Sequence, residues 1–410
     1  MRVLFVCNHF PPDYTGGAEV SLYHTCRGLM AEGLACRVLH INNRRSTTDQ
    51  QWHDVDGIPV HRIQFATRWP WQEVVDRRIV AAVRRETQDF RPDLVHIHNV
   101  SGSSLAPYVA CAEESIPTVG TLHDYWLLCP NNLLYREDGT TCDPAQNSEG
   151  CGRCFRRYDY WADVPARRSL FARLTRDARL FISPSQALIA EHIAAGYSPA
   201  RFRLVQHGIE DRPVPAEGIS PAVAGACVAA ETRPMLLFAG GGVEIKGAKT
   251  LLRALPILQD SVKDVLVVIA GGGDAATLQA FRRAGPSVQM LGKVPFLQMR
   301  ALYAAADLVL FPSVCLDNSP MVIYEAFQTG TPVVGSSIGG VPELVRCDER
   351  GYLFAPDDAD GMARHVTQHF AKSADARRRM RHECRRYAHD QLSLARHVAA
   401  IRHVYDEALQ

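Results

Sequence analysis

The sequence predicts an α/β protein of two doubly wound domains, each a parallel sheet with helices on both faces. Three observations carry this. Short apolar runs alternate with longer amphipathic ones along most of the chain, the pattern of successive βα units. The alternation lapses over a polar, Pro- and Ala-rich stretch, Asp211–Pro234, and then restarts. The length, 410 residues, suffices for two or three domains of ordinary size.

In the first half the strand candidates are 2–7, 36–41, 93–98, 117–122, 180–183 and 203–206. Between the first two, Leu22, Cys26, Leu29 and Met30 fall on one face at helical spacing. In the second half the candidates are 235–239, 265–270, 288–291, 307–311 and 331–335. The expected division is a first domain over 1–207, including a cysteine-bearing loop at 129–154, a linker over 208–233, and a second domain over 234–388. A helical tail occupies 389–410, preceded by the basic run Arg377–Arg386, which reads as a solvated helix face.

Composition excludes some functions. Hydrophobic residues make up 47% and charged residues 22%, as in globular proteins with large cores. Lys plus Arg (45) balances Asp plus Glu (44), so bulk charge points to no nucleic acid. The apolar run at the start is too short for a signal-peptide core, and no segment reaches the roughly 20 apolar residues of a membrane span. The expectation is a cytoplasmic chain, peripheral on the inner face of the cell membrane if it contacts membrane at all.

Candidate sites follow strands. After the first strand, Gly16-Gly17-Ala18-Glu19 opens a helix, whose free amides and dipole suit a phosphate; a plain tight turn is the competing reading. After strand 235–239 comes Gly240-Gly241-Gly242, then Lys246-Gly247 at the next helix start, a lysine placed to neutralise phosphate. The residue order fits neither a dinucleotide fingerprint nor a P-loop. After strand 307–311, Asp317 sits in a loop, Ser319 reads as an N-cap and Pro320 as the first helical residue. The amides of Met321 and Val322 then face a diphosphate or are capped by Ser319. Glu325 leans back toward the same end, so both carboxylates can serve vicinal hydroxyls of a ribose or hexose. His123 follows an apolar strand, whereas His96 and His98 alternate with apolar residues and suit packing or supporting roles.

Of the twelve cysteines, Cys129, Cys142, Cys151 and Cys154 form C-x12-C-x8-C-x2-C in a polar loop. The last spacing is that of a metal knuckle, and four thiolates would make a closed, structural zinc site. Free thiols or redox-formed disulfides are the alternatives. Eight arginines and several aromatics between Arg153 and Arg179, with Trp69 and Trp71 ahead of Arg77–Arg85, suit either a membrane surface or ordinary solvated helix faces.

In order and spacing, GGAE, DLVHIHN, TLHDYW, the KG loop, SPMVIYEAFQTGTPVV and IGGVPELV resemble the retaining family-4 glycosyltransferases over about residues 1–350. The resemblance implies the GT-B fold: two Rossmann-like doubly wound domains facing a cleft, with the final helix crossing back to the first domain. It implies transfer of a hexose from a nucleoside diphosphate sugar to a glycan or lipid-linked hydroxyl, as in bacterial surface polysaccharide assembly, with no catalytic metal. Glu325 is then expected on the ribose and Asp317 on the donor hexose. Lys246, Met321 and Val322 would hold the diphosphate, with Gly16 and Gly17 near it, and His123 would touch the sugar. Asp stands at 317 where the family has Glu, and Gly241 stands where an arginine is usual. These departures keep open a non-catalytic sugar-binding protein; a GT-B epimerase or phosphorylase is a separate alternative, against which the SPMVIYEA block weighs.

Overall fold

Among the described residues fourteen strands form two sheets. The structure, a computed structural model, describes residues 1–410 apart from 13–15, 67–73, 102, 137, 143–163 and 216, and the side chains of 43–45 and 164–166. The chain divides into two units: Met1–Gly208 with Leu394–Gln410, and Ile209–Ser393.

The first unit carries β1 (Arg2–Cys7), β2 (Ala35–Arg45), β3 (Asp49–Val55), β4 (Ile58–Ala66), β5 (Leu94–Ile97), β6 (Thr118–Thr121), β7 (Leu180–Ser183) and β8 (Phe202–Leu204), in the order β3-β4-β2-β1-β5-β6-β7-β8. All pairs are parallel except β3–β4. Strands covered on both faces read as unbroken apolar runs, and Val3 to Cys7 are all buried. The β3–β4 hairpin, which the sequence reading does not contain, turns at Asp56-Gly57, both at positive φ (51° and 87°). Most of β3 is exposed, so it lacks the apolar run that marks the other strands.

The second unit carries β9 (Met235–Phe238), β10 (Leu266–Ala270), β11 (Val288–Gly292), β12 (Leu308–Phe311), β13 (Val333–Ser336) and β14 (Gly351–Phe354), all parallel, in the order β11-β10-β9-β12-β13-β14. The sequence places a linker over 208–233, but a helix forms at Pro221–Ala229. Val223 and Ala226 are buried, and the Ser220 amide donates to Gln298 Oε1 at 3.2 Å, so this stretch is part of the second unit.

The tail also differs in its bounds. Helix Ala374–Gln391 ends the second unit, and helix Leu394–Leu409 belongs to the first. The basic run is not only a solvated face. Arg381 donates to the carbonyls of Ala304 and Ala306, and Arg385 to that of Thr329, capping the C-terminal ends of two neighbouring helices. In helix Leu394–Leu409, Val398, Ile401, Val404 and Tyr405 enter the core formed by Val3, Phe5, Leu22 and Leu29.

Each sheet reverses its order beside its first strand, β1 between β2 and β5, and β9 between β10 and β12. Ligands of such sheets bind beyond the carboxyl ends of the strands at that reversal. The candidate residues follow these strands.

Candidate active site

In the second unit the exit loops of β9 and β12 are stitched together. The one-turn helix Glu244–Lys246 ends at Gly247, φ 82°, which starts helix Ala248–Ser261. A side chain at 247 would collide with Pro312 O, so the close approach requires glycine. Val314 N and Ser313 Oγ both donate to Ile245 O at 3.1 Å. This packing brings Lys246 Nζ within 2.6 Å of Asp317 Oδ1, while the Ser313 hydroxyl donates to Oδ2. The IGGV loop closes over the same residue, the Gly340 amide donating to Asp317 O at 2.9 Å. Burial acts to lower the Lys246 pKa, but the charges of Asp317 and Cys315 and the hydrogen bond to Asp317 outweigh it and hold it above the ordinary value.

Helix Met321–Thr329 begins one residue later than its sequence suggests. Pro320 is the N-cap, with no side-chain cap bond, because Ser319 Oγ pairs with the Tyr324 hydroxyl at 2.6 Å. Ser319 therefore does not cap the amides of Met321 and Val322, which remain at the positive end of the helix dipole. One turn further in, Glu325 is partly buried beside Tyr303 and Arg300 of helix Phe296–Ala305. Burial pushes its pKa up to about 7, against the Tyr303 hydrogen bond and the Arg300 charge.

Gly241 has a packing explanation. Its φ is 55°, its amide donates to Ala270 O at 3.1 Å, and that of Gly242 donates to Gly272 O at 3.1 Å. A Cβ at 241 would overlap Gly272 O. Two glycine loops pack backbone to backbone here, which leaves no room for an arginine.

In the first unit Gly16 is the N-cap of helix Gly17–Ala31, and its amide donates to Glu19 Oε2 at 3.1 Å. That amide is thus engaged by a carboxylate of its own helix. Beyond β6, the half-buried His123 joins a cluster of imidazoles that are otherwise buried. His98 Nδ1 lies 2.8 Å from His123 Nε2, and His207 stacks on His123 at 5.8 Å and 13°. His207 Nδ1 is 2.8 Å from Ser21 Oγ. His96 bonds Tyr405 (2.6 Å) and Thr121 (2.7 Å), and His397 bonds Thr25 (2.9 Å) and the Gln206 carbonyl (2.7 Å). Burial first, and mutual repulsion second, hold His98, His123 and His207 well below the usual imidazole range and His96 at about 3. The cluster is neutral at pH 7. Sequence reasoning assigns no role to His207, His397 or Tyr405. The partners lie 25 to 372 residues apart, so no local signal marks them.

Cys129 and Cys142 are described, with Cys129 Sγ donating to Asn131 Oδ1 at 2.8 Å; Cys151 and Cys154 lie outside the described residues, as do Trp69 and Trp71. Among the described residues no group of three or more His, Cys, Asp or Glu is placed to hold a metal ion. Arg167, within the basic stretch, does not face a membrane. It is 2% exposed, lies 3.8 Å from the Phe171 ring centroid and donates to Trp126 O and Leu127 O.

Comparison with known proteins gives matches over both units. A model described as Glycosyltransferase Family 4 matches residues 15–212, and one described as Glycosyl transferases group 1 matches residues 233–372. A glycogen synthase of Mycobacterium tuberculosis is 26% identical over 413 residues, 93% of this chain and 89% of that protein. A phosphatidyl-myo-inositol mannosyltransferase of Mycolicibacterium smegmatis is 35% identical over 120 residues, 29% of this chain and 31% of its own. In fold, Anabaena HepE in complex with UDP-glucose matches with a TM-score of 0.71 at 18% identity, covering 99% of this chain and 100% of its own.

Proposed function

Because the chain belongs to the family-4, group 1 glycosyltransferases and is an enzyme of the GT-B type, we propose that it moves a hexose from a nucleoside diphosphate sugar to a hydroxyl acceptor with retention at the anomeric carbon. The observation that carries this reading is the Lys246–Asp317 pair at the exits of β9 and β12, in the same unit as a helix start whose amides carry no side-chain cap. Lys246 and the amides of Met321 and Val322 would take up the charge that develops on the departing diphosphate, a preorganised electrostatic effect. Glu325 would accept from the ribose hydroxyls. Asp317 already accepts from Lys246 and Ser313, but each carboxylate oxygen keeps a further lone pair for a hexose hydroxyl. His123 would orient the sugar, and no enzymatic nucleophile is assigned, departure and attack taking place on one face.

A UDP-sugar donor is the first to test, since HepE is recorded with UDP and UDP-glucose. The acceptor class we propose is a glycan or lipid-linked hydroxyl of surface polysaccharide assembly, which would bring the enzyme to the cytoplasmic membrane surface. Among the described residues no helix is long and apolar enough to cross a membrane. The test is release of nucleoside diphosphate from a panel of nucleotide sugars, with the product's anomeric configuration read by NMR. An inverted product would remove the retaining mechanism. Absence of both turnover and thermal stabilisation by every donor would favour a non-catalytic role.

A further inference from the structure

The proposed donor site is short of positive charge. A nucleoside diphosphate carries about three negative charges near neutrality, its terminal phosphate being mostly doubly ionised. Lys246 is already matched by Asp317 at 2.6 Å, and Lys249, in the first turn of the next helix, by Glu244 at 2.6 Å. Arg300 is matched by Asp211 at 3.3 Å. The amides of Met321 and Val322 supply only partial charge. Gly241 supplies none, and no side chain fits there.

Lys293 is the exception. It is exposed, and among the described residues it has no ion pair and no side-chain hydrogen bond. It is the first residue beyond β11, which ends at Gly292 with φ 66°. Gly292 O accepts from the Gly271 amide at 2.7 Å, so the exit of β11 is tied to the 271–273 loop. The lysine side chain lies along that loop. A Cβ built on Gly272 would sit 3.5 Å from Lys293 Cε and 3.9 Å from its Cγ, ordinary van der Waals contact. Gly272 is also the residue whose carbonyl fills the space that a side chain at 241 would need. The packing that bars a cation after β9 therefore has an unpaired one lying against the exit loop of β10, the strand beside β9.

We propose that Lys293 is a further donor-binding residue, its ammonium meeting the diphosphate from the β11 side as Lys246 meets it from the β9 side. The inference rests on the nucleoside diphosphate sugar reading and commits to one part of that donor, the phosphates. An ammonium on a flexible, exposed stem acts as a point charge. Arginine should therefore replace it, and neutral glutamine should not.

The test is calorimetry on the full-length parent, Lys293→Gln, Lys293→Arg and Lys246→Ala. The probes are UDP, dTDP, GDP, ADP and CDP, each compared with its nucleoside, at low and high salt. Lys293→Gln should weaken the diphosphate that the parent binds best by about three- to tenfold at low salt, with the nucleoside unaffected. The loss should shrink at high salt, because ions screen an exposed charge. Lys293→Arg should recover most of the affinity. Equal diphosphate affinity in the parent and Lys293→Gln overturns the proposal, and so does an equal loss for the nucleoside, which would place Lys293 at the base. If Lys246→Ala weakens diphosphate binding and Lys293→Gln does not, the donor reading stands and this inference alone falls. If no diphosphate binds the parent, the donor reading falls and takes the inference with it.

Discussion

Lys246 Nζ and Asp317 Oδ1 lie 2.6 Å apart, joining the residues proposed to bind the diphosphate and the sugar of one donor. Lys246 thus already has an anionic partner, and a diphosphate must compete with it or share the ammonium. Asp317→Asn keeps the shape and removes the competing charge. Bare nucleoside diphosphate should bind the variant at least as tightly as the parent, by up to about 1 kcal/mol, since the pair is partly exposed and screened. Sugar turnover should nevertheless fall, because an amide is a poorer acceptor for hexose hydroxyls. Calorimetry and donor turnover check this together, and weaker diphosphate binding would show that Asp317 supports that site.

Glu325 gives a pH prediction. With its pKa pushed up to about 7, the empty site is half protonated near neutrality. Ribose hydroxyls donate best to the ionised form, so binding must expel the proton below that value. Affinity should then drop about tenfold from pH 8 to pH 6. In Glu325→Gln the dependence should shrink to the ligand's own phosphate titration. The folding sign is opposite. A raised folded pKa makes this residue's stability contribution full below about pH 4.5 and lost as pH rises toward 7. Identical binding profiles for the two proteins would remove Glu325 from the ribose site.

Gly241→Arg restores the residue usual in the family, and it should not raise activity. The backbone at φ 55° and the overlap with Gly272 O force the 240–242 loop off the 271–273 loop. Strain at such a position costs of order 1–3 kcal/mol. A lower melting temperature and weaker diphosphate binding are expected. A gain in kcat would show that the loop opens readily.

The sequence made much of this legible, and the reasons are physical. β9, β12 and the loops after them are short, apolar and punctuated by Gly and Pro, so Lys246, Asp317 and Glu325 can be placed by counting along the chain. The hairpin partner β3 is solvent-facing and has only Asp56-Gly57 to announce it. Ser319 looks like a helix cap because its neighbour is proline, yet the Tyr324 hydroxyl five residues on takes it. His123 is legible through TLHDYW, but the partners that hold it come from β5, from the end of the sheet and from helix Gly17–Ala31, and only the folded chain brings them together.

The cysteine pattern still predicts about one structural zinc per chain. Burial, and to a lesser degree the neighbouring Cys142, raises the pKa of the Cys129 thiol, although nearby backbone hydrogen bonds and Arg167 oppose this. A bound metal would have to displace those protons. Elemental analysis of protein purified without added metal should find stoichiometric zinc, lost in Cys151→Ser with Cys154→Ser. Substoichiometric metal that survives the double substitution would leave four ordinary cysteines.

The last prediction concerns Gly28 and the final helix. Gly28 lies inside helix Gly17–Ala31, where alanine would ordinarily stabilise by about 1 kcal/mol. Here a Cβ would overlap Val398 Cγ2 and sit 3.5 Å from Leu394 Cγ, on a helix whose residues fill the same core. Val398 is 2% exposed and β-branched, so it has little freedom to move aside. Overpacking of this kind costs about 1–3 kcal/mol and outweighs the propensity gain. Gly28→Ala should therefore destabilise the protein, and adding Val398→Ala should recover part of the loss, a favourable coupling in a double-mutant cycle. Ile401→Asp, which buries an unpaired charge at a position 1% exposed, should cost several kcal/mol and lower turnover too. The same helix supplies His397 and Tyr405 to the histidine cluster, so displacing it disturbs His96 and its neighbours. Parental melting and turnover in Ile401→Asp, or independent effects of Gly28→Ala and Val398→Ala, would show that this helix does not brace the core.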